Sequence, residues 1–165
     1  QQGFFMKLRV LNSKNPTQRS DIRNLTQKIV NHLIRPGIAK NLNITVRIKD
    51  NNLDGCMGLC QPLDNHLPRR FEIVLSSRLN KRTLMQTLAH ELVHVKQFAQ
   101  DELKFLVNSV EPRQRWHNEQ FDENTTYWNQ PWEKEARKME RPLLMKWARS
   151  QKLMKKSWLK MPKKG

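Results

Sequence analysis

Cysteine is nearly absent: Cys56 and Cys60 are the only two in 165 residues. Two thiols make no disulfide framework. A Cys-x3-Cys spacing with only His66 nearby does not make a structural zinc site either. Both are read as free thiols in a reducing compartment. Long apolar runs are missing too. No stretch approaches the ~20 residues that cross a bilayer, and the start lacks a signal-peptide apolar core, so a cytoplasmic protein without a transmembrane segment is expected. Acids are scarce, with 15 Asp and Glu against 31 Lys and Arg, a net charge of +16. That imbalance favours polyanionic partners such as nucleic acid, anionic membrane or acidic protein surfaces. Apolar residues make up only 37% of the chain, so one part of it, an end, is expected to contribute little to the core. No internal repeat is visible.

What the chain does have is concentrated in residues 83–97, TLMQTLAHELVHVKQ. His90-Glu91-Leu92-Val93-His94 is an H-E-x-x-H pattern. On a helix, residues four apart share a face, so both imidazoles reach one ion. Glu91 projects beside them, close enough to act on a water at that ion. The helix is predicted on separate grounds. Leu84, Leu88, Leu92 and Val95 recur at spacings of four and three, Asn80 suits an N-cap, and no Gly or Pro interrupts residues 81–102. Two histidines packed on a buried helix beside a surface Glu would give the same letters without a metal. The full pattern on a well-capped helix is read as a zinc site.

Around that helix the chain reads as α+β. Residues 1–5, ahead of Met6, look like a remnant or an unusual start and are set aside. Residues 6–11 alternate apolar and basic side chains, the period of a half-buried strand. Residues 12–16 are turn-forming, and Ser20-Asp21 suits the cap of a helix running to about Ile34, stopped by Pro36-Gly37. Strands are predicted over 43–50, 58–62 and 71–76, with a turn at 51–55. Residues 102–110 are ambiguous, and 112–124 are polar apart from Trp116 and Phe121. A last helix starts near Pro131, with Pro142 as a kink. From Lys152 on, six lysines in fourteen residues and no apolar stripe predict a flexible basic tail. The expected architecture is a small mixed sheet of about four strands packed on the H-E-x-x-H helix, with further helices. It comprises a domain over residues 6–151 and a tail over 152–165.

A catalytic zinc takes three protein ligands and leaves a fourth position for water. Downstream candidates are His117, Glu119, Asp122, Glu123, Glu133 and Glu135. Glu133 and Glu135 have the best context, in the first turn of the last helix, where either would also be an ordinary acid favoured by the helix dipole. At ~100° per residue the two lie about 200° apart, so they cannot face one ion together. On the residues alone, Glu133, Glu135 and His117 stay open.

Strand, helix, three strands, then H-E-x-x-H resembles the zincin metallopeptidases. His90, Glu91 and His94, with a Glu opening a later helix, resemble their gluzincin branch. Tyr127-Trp128 with Pro131-Trp132-Glu133-Lys134-Glu135-Ala136 is similar to small metallopeptidases carried by phages and bacteria. The resemblance spans roughly residues 6–147 and rests on these two motifs. It implies metal ligands His90, His94 and Glu133, because the gluzincin ligand sits three residues before a small residue, here Ala136. The same pattern has an acid where this chain has Arg137. A rival resemblance is to SprT-like proteases, whose third ligand is a His shortly before a Phe. His117-Asn118-Glu119-Gln120-Phe121 has that shape, with Asn118 in place of Gly.

The resemblance implies a zinc-dependent endopeptidase acting on protein or peptide substrates, with Glu91 as general base. Tyr127 or His117 would steady the oxyanion. Residues 71–75 are expected to be the exposed strand edge to which an extended substrate adds. The SprT-like alternative adds nucleic acid as a partner, bound through the basic surface and tail. The likeness to phage proteins extends the cytoplasmic expectation to a bacterial host. A third reading is a non-catalytic basic interaction domain stapled by zinc. Structural sites use four protein ligands, and Glu91 would then have no task.

Overall fold

Strict alternation builds the first sheet. β1 (Lys7–Leu11) buries Leu8 and Val10, and β2 (Asn43–Lys49) turns Ile44, Val46 and Ile48 to the same side. A computed structural model describes residues 6–50, 55–106 and 113–160. In it, β3 (Gly58–Pro62) and β4 (Arg70–Ser76) complete a four-stranded sheet of order β1-β2-β4-β3. β1, β2 and β4 run parallel, and β3 is antiparallel to β4. On the face away from the core, Arg47 and Glu72 pair across β2 and β4 at 3.5 Å. The fold is mixed α+β.

Helices cover the other face. α1 (Pro16–Leu33) starts earlier than the sequence suggests: Asn15, not Ser20-Asp21, is the cap, accepting from the Gln18 amide at 2.8 Å, and Pro16 takes a first-turn position. A four-residue helix, α2 (Pro36–Ala39), leads into β2. α3 (Lys81–Ala99) carries the H-E-x-x-H residues and is capped by Asn80, which accepts from the Thr83 amide at 2.9 Å. α4 (Pro131–Ser150) runs beside α3 and continues through Pro142. Trp147 of α4 is buried and donates from Nε1 to Asn24 of α1 at 2.8 Å, tying these two helices together.

Between α3 and α4 lies a feature the sequence does not announce. β5 (Leu103–Leu106), β6 (Arg113–Trp116) and β7 (Glu119–Asp122) form a second, antiparallel sheet. Its two apolar anchors, Trp116 and Phe121, meet the Trp132 ring at 6.4 and 5.7 Å. They fix the start of α4, one residue before Glu133. The turn expected at 51–55 falls largely outside the described residues, as do residues 161–165 of the tail. No helix among the described residues is long and apolar enough to cross a membrane.

Two expectations are corrected. Residues 71–75 are not a sheet edge, because β4 is flanked by β2 and β3; the edge is β3. Nor is the chain beyond Lys152 without a core role. Ser157–Leu159 forms a 3-10 turn whose Leu159 is 3% exposed, and Lys81 lies 4.6 Å above the Trp158 ring while pairing with Asp21 at 2.9 Å. Lysine density hides this anchor, since one leucine and one tryptophan are enough to dock a short turn. Truncation after Gln151 is therefore expected to cost about 2–5 kcal/mol, the range for emptying a buried leucine site. Urea denaturation of the shortened chain checks it; an unchanged midpoint would mean the turn is not held.

Candidate metal centre

α3 places His90 and His94 one turn apart, and their rings meet edge to face with centroids 4.9 Å apart. Packing of α4 along α3 inserts Glu133 from its first turn. One carboxylate oxygen lies 2.9 Å from His90 Nε2 and the other 3.1 Å from His94 Nε2. All three side chains are buried. Their ligand atoms lie within 4.8 Å of one another, and no fourth His, Cys, Asp or Glu joins the group among the described residues.

The far sides of the rings decide what belongs between them. Buried Gln97 donates from Nε2 to the Trp132 carbonyl at 3.0 Å and to Glu135 at 3.2 Å. With its amide so oriented, its oxygen faces His94 Nδ1 at 2.8 Å, and that nitrogen must carry the proton. His90 Nδ1 faces the Glu140 carboxylate at 3.5 Å, an ion-pair distance that favours a proton on that nitrogen. Gln86 donates to the second Glu140 oxygen at 3.0 Å and accepts from Arg82 at 2.9 Å, so that carboxylate is itself held. Both Nε2 atoms therefore turn lone pairs towards a carboxylate. Three electron-pair donors facing one another need positive charge between them, either protons or a cation.

The titration shifts express the same demand. Burial opposes charge on His90, but its hydrogen bonds to Glu133 and Glu140, with the nearby Glu91 charge, raise it to about 10. His94 is raised against burial by Glu133 and Glu91. Burial alone would raise Glu133, yet both histidines hold it well below the usual carboxylate range. Two imidazoles and a carboxylate, with their outer nitrogens already engaged, suit a borderline divalent ion such as zinc.

Glu91 is 6% exposed and outside the ligand set. Burial raises its pKa, and the like charges of Glu133 and Glu140 add to this against the two histidines. It is a carboxylate with an enhanced appetite for a proton. Tyr127 stands in a 3-10 turn, Tyr127–Asn129, at the mouth of the site. Burial and the Glu133 charge raise its phenol, which stays protonated. Arg137 holds this turn, donating to the Trp128 carbonyl at 2.9 Å and stacking 4.3 Å over its ring. Position 137 thus serves the turn, and Glu140, two helical turns after Glu133, faces His90 instead.

Glu135 points elsewhere, accepting from Lys96 at 2.9 Å and from Gln97. His117 sits in the β6–β7 turn with φ 51, its ring against Trp116, and is not in the group of three. Sequence reasoning missed Gln97 and Glu140. The signal was there: Gln97 lies three residues after His94 and Glu140 seven after Glu133, both spacings that return to the same helix face.

The centre opens into a cleft of about 160 Å³. Gly58, Leu59 and Cys60 form one wall, Tyr127 and Trp132 another, and Phe98, Leu103 and Phe105 the far end. Burial, with Glu91 and Glu133, pushes the half-buried Cys60 thiol up, so it stays protonated. Met57 oxygen accepts from the Ser76 amide at 3.1 Å, which sets the phase of the β3–β4 ladder. By alternation, the amide and carbonyl of Gly58 and Cys60 then face the open side of β3, over the cleft.

Gly58 is where β3 touches α3. A Cβ there would lie 2.7 Å from Thr87 Cγ2 and 3.1 Å from Leu75 Cδ2. Gly58→Ala is expected to destabilise by about 1–3 kcal/mol through overpacking, with Thr87→Ser, which removes the offending methyl, restoring part of the loss. Denaturation of the single and double variants measures this; equal losses in both would refute the clash.

Compared with family models, curated proteins and solved structures, the chain matches none.

Proposed function

We propose that this chain is a zinc-dependent endopeptidase of zincin type, with His90, His94 and Glu133 holding the ion. One observation carries the reading. Three donor atoms converge within 4.8 Å, with the outer ring nitrogens already engaged, beside a buried carboxylate that is not part of the set. A purely structural zinc would need a fourth protein ligand, and none joins among the described residues. The SprT-like ligand set is not favoured, because His117 is engaged elsewhere.

When bound, zinc supplies a Lewis acid that polarises a carbonyl and brings a water's pKa towards ~7. The chain's own groups do the rest. Glu91 accepts the proton of the attacking water, and its raised pKa lets it keep that proton until the leaving amine takes it. Tyr127, with its phenolic proton retained, donates to the oxygen on which negative charge develops. The open edge of β3 at Gly58 and Cys60 aligns an extended substrate by main-chain hydrogen bonds.

The zinc-loaded protein is expected to cleave unfolded polypeptides, to stop when a chelator strips the ion, and to recover on readdition of zinc. Mass spectrometry of the products reads it out. A fully loaded protein inert towards a broad set of unfolded proteins and peptides would overturn the proposal.

A further inference from the structure

The cleft does not end at its far wall. Phe98, Leu103 and Phe105 are shared with a second cavity of about 930 Å³, which runs on between the loop at residues 63–69 and the β5-β6-β7 sheet. Exposed apolar side chains gather along this course. Three of the large exposed ones among the described residues, Leu59, Phe105 and Tyr127, line it from β3, β5 and the Tyr127–Asn129 turn. Phe105 is 47% exposed and Tyr127 53%, and both line the opening. An apolar patch gathered around one cleft marks a binding groove.

The second cavity differs in charge. Lys104 and Arg113 line it, and neither makes an ion pair among the described residues. Its one acid among the described residues, Asp64, accepts from the backbone amides of Arg69 and Arg70 at 3.1 and 3.0 Å. Asp122, opposite Arg113 in the sheet, accepts from the Asn124 amide. The groove is thus apolar beside the metal centre and carries two uncommitted cations farther on, in a chain of net charge +16. Two cations at the end of an apolar course suit a carboxylate side chain better than a phosphate backbone, which engages a row of cations.

Resting on the peptidase reading, we propose that the groove selects an extended, unfolded polypeptide with two marks. A large apolar side chain seats against Phe98, Leu103 and Phe105, next to the scissile bond. An acidic side chain farther along the same segment enters the second cavity against Lys104 and Arg113. Folded proteins bury the first kind of residue, so the segment is offered only by unfolded or locally opened chains.

The test uses a positional peptide library, with cleavage by the zinc-loaded wild type and binding to the zinc-loaded Glu91→Gln chain read separately. Leu or Phe is expected over Ala beside the scissile bond by about tenfold or more. At one position farther on, Glu is expected over Lys by about tenfold, declining with salt. Phe105→Ala should flatten the first preference, and the Lys104→Glu/Arg113→Glu double variant should invert the second. Cleavage with no charge preference, or a Glu-to-Lys ratio unmoved by the reversal, overturns this proposal and leaves the peptidase reading intact. Binding to Glu91→Gln with both preferences, but no cleavage by wild type, overturns the peptidase reading and leaves the groove. Neither binding nor cleavage overturns both. A single-stranded oligonucleotide that displaces the peptide in a Lys104-dependent manner would assign the cavity to phosphate instead.

Discussion

Glu91→Gln is expected to take up about one zinc per chain, as wild type does, and to lose hydrolysis by at least a factor of ~100. Two facts separate the effects. Glu91 is outside the set of three donor atoms, so zinc affinity does not depend on it directly. It is also buried beside that set with a raised pKa, the condition under which a carboxylate both accepts a proton and returns it. Glutamine keeps the shape and loses the basicity. It also removes a buried negative charge near Glu133 and Glu140, so no loss of fold is expected. Elemental analysis and the rate on an unfolded polypeptide are measured on one preparation. Hydrolysis at the wild-type rate would mean that Glu91 is not the base; loss of zinc would mean that it is a ligand.

Glu133→Ala is expected to lower zinc affinity by more than ~100-fold, the largest effect among the acids near the site. Its two oxygens are the only carboxylate atoms within 3.1 Å of the histidine Nε2 atoms among the described residues. Glu140→Ala should cost less, about 10–100-fold, because it removes the partner of His90 Nδ1 and leaves all three ligands. Glu135→Ala and His117→Ala should change little, since Glu135 serves Lys96 and Gln97 while His117 lies in a turn against Trp116. Chelator competition on the four variants ranks them. An affinity held by Glu133→Ala and lost in His117→Ala would reverse the assignment and revive the SprT-like reading.

Local regularities of this protein were legible in its residues. Strand alternation in β1, β2 and β4, the capped helix at Lys81, the start of α4 at Pro131 and the common face of His90 and His94 all follow from spacing within one element. Such spacing is set by the helical and pleated backbone, whatever the rest of the chain does. Which acid meets the histidines is of another kind. The ~200° between Glu133 and Glu135 excludes both together, but choosing one depends on how α4 lies on α3. That is decided by side chains outside the group of three: Trp147 against Asn24, and Trp132 against Trp116 and Phe121.

The same division holds for the other differences. β3 is the edge because β4 pairs on both sides, a long-range matter that alternation within 71–76 cannot express. The turn at residues 157–159 docks because Leu159 reaches the core, although the lysines around it suggest a free tail. Glu140 and Gln97 orient the histidines only once two helices bring them within reach. The sequence by itself determined the pair of histidines, the carboxylate beside them and the elements that carry them, since each rests on contacts within one helix or strand. Only the tertiary structure decided which acid meets the histidines, the partners of the rings and the shape and charge of the groove, because each depends on surfaces brought together from distant parts of the chain.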